Sequence, residues 1–466
     1  MGLTAALSIV LLAPPSLFGQ SSPAPGAFTL PEAVRYATDH YPAVRAAMER
    51  SNAARAGVSL ARDNYLPKAD ALWQLNRATR NNIAGVLLPQ STLPNPSGPV
   101  LDGSTQSFWG TGAGMLVSWE PVDFGYRHAV VESAQATAHR ASAEVEVTLL
   151  DVQTAAADAA LVVLAAEQSV RATQADVDRR GVFARSVHAL VDAHLRPGAD
   201  ASRANAELAA ARTRMILAEQ NAAVAKASMA ELLGLAGTEV EVVPGPLLDS
   251  PQTFAPPDTP AANHPLAVAE RDRMLEAQAR IHILDRSYAP KISFQATGYG
   301  RGSGASGTGK PASDSQQGLA PDTVNWAAGV TVKFAAFDFA SIHSQKKVEQ
   351  ANQRLEESLY QQTLERVTGK SARDKAILEG ARRVAENTPV QLRASQDAEQ
   401  QARARFKAGV ATLVDVAEAQ RLLVNAEIDD SLARLDIWRA IERLSADQGN
   451  LQPFLDLVER GAQGGN

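Results

Sequence analysis

Two stretches decide the fold: His40-Tyr41-Pro42 through Tyr65-Leu66-Pro67-Lys68, and Asn263-His264-Pro265 through Tyr288-Ala289-Pro290-Lys291. They are one pattern written twice, and a single offset of 223 residues carries Pro42 onto Pro265 and Pro67 onto Pro290. The match resumes at Trp119-Glu120-Pro121-Val122-Asp123-Phe124-Gly125 against Phe334-Ala335-Ala336-Phe337-Asp338-Phe339-Ala340, where Asp123 faces Asp338 at an offset of 215. It resumes again at Arg196-Pro197-Gly198 against Lys407-Ala408-Gly409, at an offset of 211. An offset that shrinks only where a loop would shorten marks an internal duplication of architecture. The expected plan is a signal peptide at 1–20, an N-terminal linker at 21–27 and a first repeat at 28–235 with helix, two strands, long helix and return helix. A Pro-rich linker at 236–262, a second repeat of the same order at 263–450 and a C-terminal tail at 451–466 complete it.

Composition narrows the function classes. The 466 residues carry a net charge of −6, only 5% are aromatic, and no long basic run occurs, which argues against nucleic acid as a partner. The absence of cysteine excludes disulfides, thiolate metal sites, a cysteine nucleophile and a lipid-bearing cysteine. Leu3 to Leu12 form a short apolar run before Pro14-Pro15-Ser16, which reads as a secretory signal cleaved near Gly19 or Gln20. No other segment is expected to reach the ~20 apolar residues of a membrane helix. Any entry into a membrane would be as strands.

Each repeat places two strand-like runs around a Gly/Pro/Ser/Asn-rich loop. Ala69, Ala71, Trp73 and Leu75 alternate with Lys68, Asp70, Gln74 and Asn76, broken only by Leu72. Trp109, Ala113, Met115, Val117 and Trp119 share one face of the next run, opposite Gly110, Gly112, Gly114 and Ser118. The second repeat sets Ile292, Phe294 and Ala296 against Lys291, Ser293, Gln295 and Thr297. Likewise it sets Trp326, Ala328, Val330, Val332 and Phe334 against Asn325, Thr331 and Lys333. Such alternation puts one face in an apolar medium and the other in water. Trp109 and Trp119 would lie roughly 23 Å apart on a tilted strand, near the spacing of the aromatic girdles of an outer-membrane barrel. Four strands cannot close a barrel, and open edges in lipid leave unpaired backbone groups, so a membrane reading requires an oligomer.

Between the strands and the next glycine turn run two long Ala-rich, charged stretches, Asp123 to about Leu195 and Asp338 to about Phe406. Seventy-odd residues would span roughly 110 Å, far beyond a globular helix. Gly198 and Gly409 suit positive φ at the turns. Thr412 and Asp415 have the spacing of an N-cap and its third residue, whereas Asp200 is the expected cap of the first repeat, with Ala204 standing where Asp415 stands. The return helices are half a column long. The missing halves are supplied by 31–64 and 266–287, stacked end to end upon them.

This pattern resembles the TolC family of outer-membrane efflux proteins. The resemblance rests on His40-Tyr41-Pro42 with Asn263-His264-Pro265, on Asp123-Phe124-Gly125 with Asp338-Phe339-Ala340, and on Ala404-Arg405-Phe406-Lys407-Ala408-Gly409 followed by Thr412, Asp415 and Gln420. It covers the chain from Phe28 to Gly449. It implies an α+β membrane protein: a homotrimer whose long coiled-coil-like helices form a periplasmic α-barrel, and whose four strands per chain join a 12-stranded outer-membrane β-barrel. It further implies a passive exit duct whose tips dock a periplasmic adaptor, a membrane fusion protein, joined to an inner-membrane transporter of RND or ABC type. By that analogy Gly198, Asp200, Gly409, Thr412 and Asp415 lie at the tips, and Asp397 and Glu399 are gate candidates above them, facing Arg185 and Asp192 of the other repeat. Trp73, Trp109, Val117, Trp119, Trp326, Val332 and Phe334 would form the lipid-facing belt in the lipid bilayer.

Catalytic chemistry is not legible. Gly300-Arg301-Gly302-Ser303-Gly304 follows a strand without a helix behind it, so it is not a phosphate loop. His188 and His194 fall on different helix faces, and no Ser/His/Asp set emerges from spacing. The reading is therefore a non-enzyme with no metal and no cofactor. The alternative is a periplasmic structural or adhesion rod, whose strands would pack into a soluble sandwich.

Overall fold

A computed structural model of the chain describes residues 26–79, 107–251, 254, 256–304, 318–333 and 338–463. The expected signal peptide and Phe334 lie outside the described residues, as does the whole segment 80–106. The elements are β1 Ala27–Thr29, α1 Leu30–His40, α2 Pro42–Asp63, β2 Lys68–Thr79, β3 Ser107–Val122, α3 Tyr126–Asp192, α4 Gly198–Leu232 and β4 Glu241–Val243. There follow α5 Pro265–Arg286, β5 Lys291–Ser303, β6 Thr323–Lys333, α6 Phe339–Lys407, α7 Leu413–Asp447 and α8 Gln452–Gln463.

The duplication is expressed in element lengths. Helices α2 and α5 both have 22 residues, each beginning at the proline of its landmark, where a missing N–H costs nothing. Helices α4 and α7 both have 35. The long helices α3 and α6 have 67 and 69 residues, about 100 Å each. The half-length helices stack end to end as expected. Gly449, at φ +78°, ends α7, and a Cβ built on it would stand 2.6 Å from Cδ of Pro265, the first residue of α5. Gly234, at φ +73°, plays the same part where α4 meets the α1–α2 corner, 3.7 Å from the His40 carbonyl. Two helical columns flank α3, α2/α4 on one side and α5/α7 on the other, and α6 packs on the far side of α5/α7.

The four longer strands form one antiparallel sheet in the order β2-β3-β5-β6, so β3 and β5 join the repeats and β2 and β6 are left as edges. A separate core lies halfway along the helices. The parallel pair β1–β4 sets Phe28 beside Val242, and α1 and α8 pack with it against α3, α4 and α7 through Leu30, Leu161, Leu164, Met229, Ile441 and Phe454. The segment beyond 450, expected as a tail, thus supplies the amphipathic helix α8 to this core. The same core accounts for a feature the sequence reading passed over. Helix α3 holds an 18-residue window of mean hydropathy 1.6, long and apolar enough to cross a membrane by composition. Its Ala156, Ala157, Ala160, Leu161, Val163 and Leu164 are buried against neighbouring helices.

Candidate functional site: the two-faced sheet and the hairpin tips

The sheet inverts the usual order of a soluble protein. The register places Trp73 with Ala113, Ala71 with Met115 and Trp326, and Trp119 with Phe294 and Val330 on one face. That face is exposed: Trp326 keeps 81% of its surface and Trp73 67%, and Met115, Trp119, Phe294, Val330 and Val332 are exposed with them. Trp109 and Val117 are half-buried on the same face. The opposite face holds Gln295 and Thr297, both buried, with Leu116 as an apolar exception that the alternation did not announce. Buried polar groups on one face and exposed tryptophans on the other are the reverse of a sandwich core. Glycine permits the close strand approach on the polar face: a Cβ at Gly114 would lie 2.5 Å from the Tyr299 Cβ. At the helical end of the sheet Trp119 Nε1 donates to the Tyr65 carbonyl at 2.9 Å, and towards the other end Arg77 lies 5.3 Å from the Trp109 ring centre.

At the far end of the helices the two hairpins meet. Phe183, Ala184 and Val187 of α3, Ala204 of α4, Phe406 of α6, and Leu413 and Val416 of α7 form a small core. Phe183 and Phe406 meet edge to face at 5.2 Å. Arg196 stacks its guanidinium 4.5 Å from the Phe406 ring centre and donates to the Phe406 carbonyl at 3.1 Å. The first hairpin turn is thereby fastened to the second.

The turns correct the expected register. In both, a left-handed residue closes the helix: Gly409 at φ +78° and, in the first repeat, His194 at φ +58° rather than Gly198. The bonds match one for one. Val410 N–H donates to the Arg405 carbonyl at 3.0 Å, and Leu195 N–H donates to the Leu190 carbonyl at 2.9 Å, the signature of a Schellman cap. Gly198 instead begins α4. The offset therefore stays at 215, pairing His194 with Gly409, Pro197 with Thr412 and Asp200 with Asp415. Ala204 is buried in the tip core and does not stand in for Asp415. Thr412 and Asp415 make a complete capping box, with Thr412 N–H and Oγ1 donating to Asp415 Oδ2 at 2.8 Å and Asp415 N–H donating to Thr412 Oγ1 at 3.3 Å. These bonds hold the Asp415 carboxyl below its ordinary pKa. Asp200 is the third residue of its helix and not its cap; Pro197 has neither hydroxyl nor N–H, so no box can form there.

The sequence reading missed one pair at the tips. Leu195 and Val410, each one residue past its left-handed position, are 70% and 66% exposed. Spacing from the glycine turn could have found Val410, but Leu195 was hidden because histidine held the turn. Of the two gate candidates, Asp397 is exposed on α6, while Glu399 is buried between α6 and α7, 3.5 Å from Gln420 Nε2. Two residues apart on a helix, they point to different sides.

The profile of the family described as outer membrane efflux protein matches residues 34–235 and again 257–450, one match for each repeat. No curated relative matches the sequence. Among solved structures, the fold is similar to the outer-membrane channel OprN (TM-score 0.69, 20% identity, 91% of this chain and 90% of that one). It is similar also to the Campylobacter jejuni CmeC outer membrane channel (0.72, 14% identity, 93% and 89%). The open state of the Neisseria gonorrhoeae MtrE outer membrane channel gives 0.72 at 19% identity, with 91% and 89% covered. With both halves matched to the same profile and an exposed tryptophan face on its sheet, the chain belongs to the outer membrane efflux protein family.

Proposed function

We propose that three copies of this chain close the open sheet and the open row of columns into one continuous passive duct across the periplasm and the outer membrane. The protein is an outer-membrane efflux component; the trimer, the closed barrel and the docking partners are the reading offered here. The observation that carries it is the sheet, apolar and exposed on one face and polar on the other, with β2 and β6 as its edges among the described residues. Those edges need strand partners in lipid, where no water satisfies the backbone. Identical copies supply them by rotation, because β6 of one can meet β2 of the next. Twelve strands and twelve columns follow from three copies of four, and a wall so built has a polar lumen through which solutes pass without chemistry.

The hairpin tips are then the periplasmic docking surface. Leu195 and Val410 offer apolar anchors, while Gly198, Asp200, Gly409, Thr412 and Asp415 shape the turns for an adaptor that joins an inner-membrane transporter of RND or ABC type. Asp397 is the gate residue of this reading, and Glu399 serves the α6–α7 contact.

The test is assembly. Val332→Arg and Trp326→Asp place a charge in lipid, and an arginine at mid-membrane costs about 2–4 kcal/mol per chain. Both are expected to remove the heat-resistant oligomer from the outer-membrane fraction, whereas Asn325→Asp on the polar face leaves it intact. Equal assembly of all three would overturn the lipid-facing assignment.

A further inference from the structure

Where α7 ends against α5, a cavity of about 690 Å³ opens between α3, α6 and the two stacked helices. Its wall contains buried carboxylate oxygens that make no hydrogen bond among the described residues. Glu442 is 0% exposed, and neither of its oxygens has a partner among the described residues. Asp447, 4% exposed, accepts at Oδ1 from Lys370 Nζ at 2.6 Å, and its carboxyl lies against that of Asp374. On α3, Asp158 Oδ1 is buried without a hydrogen bond, its nearest cations being Arg439 at 3.5 Å and Arg443 at 4.0 Å. Unmet acceptors on facing helices are costly in a packed protein.

Charge points the same way. Asp151, Asp158, Asp374, Glu442 and Asp447 line the cavity against Arg366, Lys370 and Arg443. His264, also in the wall, is held towards its neutral form chiefly by burial. With Arg439 beside Asp158, five acidic groups face four cations. Burial, with the Asp158 charge next, raises the Glu442 pKa to about 8, against Arg443, Lys370 and Arg439. Burial and a hydrogen bond with Asp374 raise Asp447 to about 6, with Lys370 opposing.

We propose that this cavity is a binding site for an organic cation bearing ammonium or guanidinium groups. The unmet oxygens lie on α3 and α7, and a cation with several N–H donors can span them. A bare metal ion fits less well, since no group of three His, Asp or Glu among the described residues is placed to hold one. Asp151, Thr154 and Asp158 lie on the side of α3 opposite Ala156, Ala160 and Leu164 of the helical core. If the duct reading holds, that side is the lumen wall and the site is a station for cationic cargo; as a binding site it rests on this chain alone.

Binding favours the ionised carboxyl, so it must weaken as Glu442 takes up a proton. With a pKa of about 8, the ionised fraction falls about tenfold from pH 9 to pH 7. The probe is 1,4-diguanidinobutane, a dication at both pH values, titrated calorimetrically into the full chain in detergent. Saturable binding that weakens about tenfold from pH 9 to pH 7 is expected. Glu442→Gln keeps the shape, and should lower affinity at pH 9 about tenfold and flatten the pH dependence. Asp158→Asn, on the facing helix, should also weaken binding and serves if Glu442→Gln does not fold. No saturable heat at pH 9, or variants that bind as the native chain does, would overturn the proposal. Failure of the duct reading would show differently, as absence from the outer membrane with this titration unchanged.

Discussion

Replacing Asp123 tests how the sheet is fastened to the helices. Asp123 Oδ2 accepts from Arg127 Nε at 2.6 Å and from the Arg127 N–H at 2.8 Å, and Oδ1 accepts from the Gly125 N–H at 3.1 Å. Arg127 passes the connection on, donating to the Asn64 carbonyl at 3.0 Å and lying 4.7 Å from the Tyr65 ring centre. Strand β3, helix α3 and the end of α2 therefore meet in one corner. Both side chains of the ion pair are only 8% exposed. Asp123→Ala would leave a guanidinium buried without its counter-ion, which costs about 3–5 kcal/mol. The second repeat shows an apolar solution, because Ile342, at 9% exposure, occupies the position that Arg127 holds in the first. Asp123→Ala combined with Arg127→Ile should therefore recover most of the loss. Burial alone would raise the Asp123 pKa, but the bonds from Arg127 and Gly125 outweigh it and hold the carboxyl below its ordinary value. A depressed carboxylate pKa means that this stability is present above about pH 4 and is lost as pH falls through the lower folded value. Thermal unfolding of the detergent-solubilised protein, read by circular dichroism at pH 7 and pH 3, measures both effects. A single variant within about 1 kcal/mol of the native chain, or a double variant no better than the single, would refute the argument.

Three further predictions concern glycines and a left-handed histidine. Gly409→Val puts a β-branched side chain at φ +78°, a strain of about 1–3 kcal/mol, and should reduce efflux in whole cells while the oligomer stays in the membrane. The reverse change, His194→Gly, relieves a non-glycine left-handed residue and should raise the melting temperature slightly, by up to about 1 kcal/mol of stability. Gly114→Val drives a side chain into the Tyr299 Cβ and the Gly298 carbonyl and should abolish heat-resistant oligomer on gels.

The parts that were legible in the sequence are those whose signal is local and periodic. Alternation assigned Trp73, Trp119, Trp326 and Val332 to one face because strand side chains repeat every two residues, whatever lies around them. Prolines 42 and 265 marked helix starts because proline fits a first turn without cost. The tip register failed for a physical reason. Glycine is the usual left-handed residue, so Gly198 drew the alignment, yet histidine tolerates that conformation better than most and His194 holds it here. The midway core was unreadable because β1 and β4 are three residues each and pair Phe28 with Val242 across most of the first repeat. Glu442 was equally hidden. On a helix of mixed charge it reads as one more solvated side chain, and only packing by α3 and α6 makes it a buried one.

The corrected register explains where this duplicated chain could change and where it could not. From Asp123 and Asp338 to Gly234 and Gly449 the offset is 215 throughout, while from Pro42 and Pro265 to the first strand of each repeat it is 223. The whole difference of eight residues therefore falls within the β-hairpins. Helices tolerate no such change. A residue lost from α3 but not from α6 would rotate every later side chain by about 100° and lift one tip about 1.5 Å from the other. The Phe183–Phe406 contact and the Arg196 bond to the Phe406 carbonyl would then be lost together. At the other end, Gly234 and Gly449 must each reach a helix start fixed by proline, so α4 and α7 are held to one length. A hairpin loop meets neither constraint, since its strands can shorten in register from the far end. Deleting one residue from α3, at an exposed position such as Glu146 or Arg171, should therefore abolish assembly, whereas deleting eight from the loop at 84–91 should leave it intact. Oligomer yield in outer-membrane fractions decides the matter. Survival of the helix deletion would show that the two columns do not set one another's length.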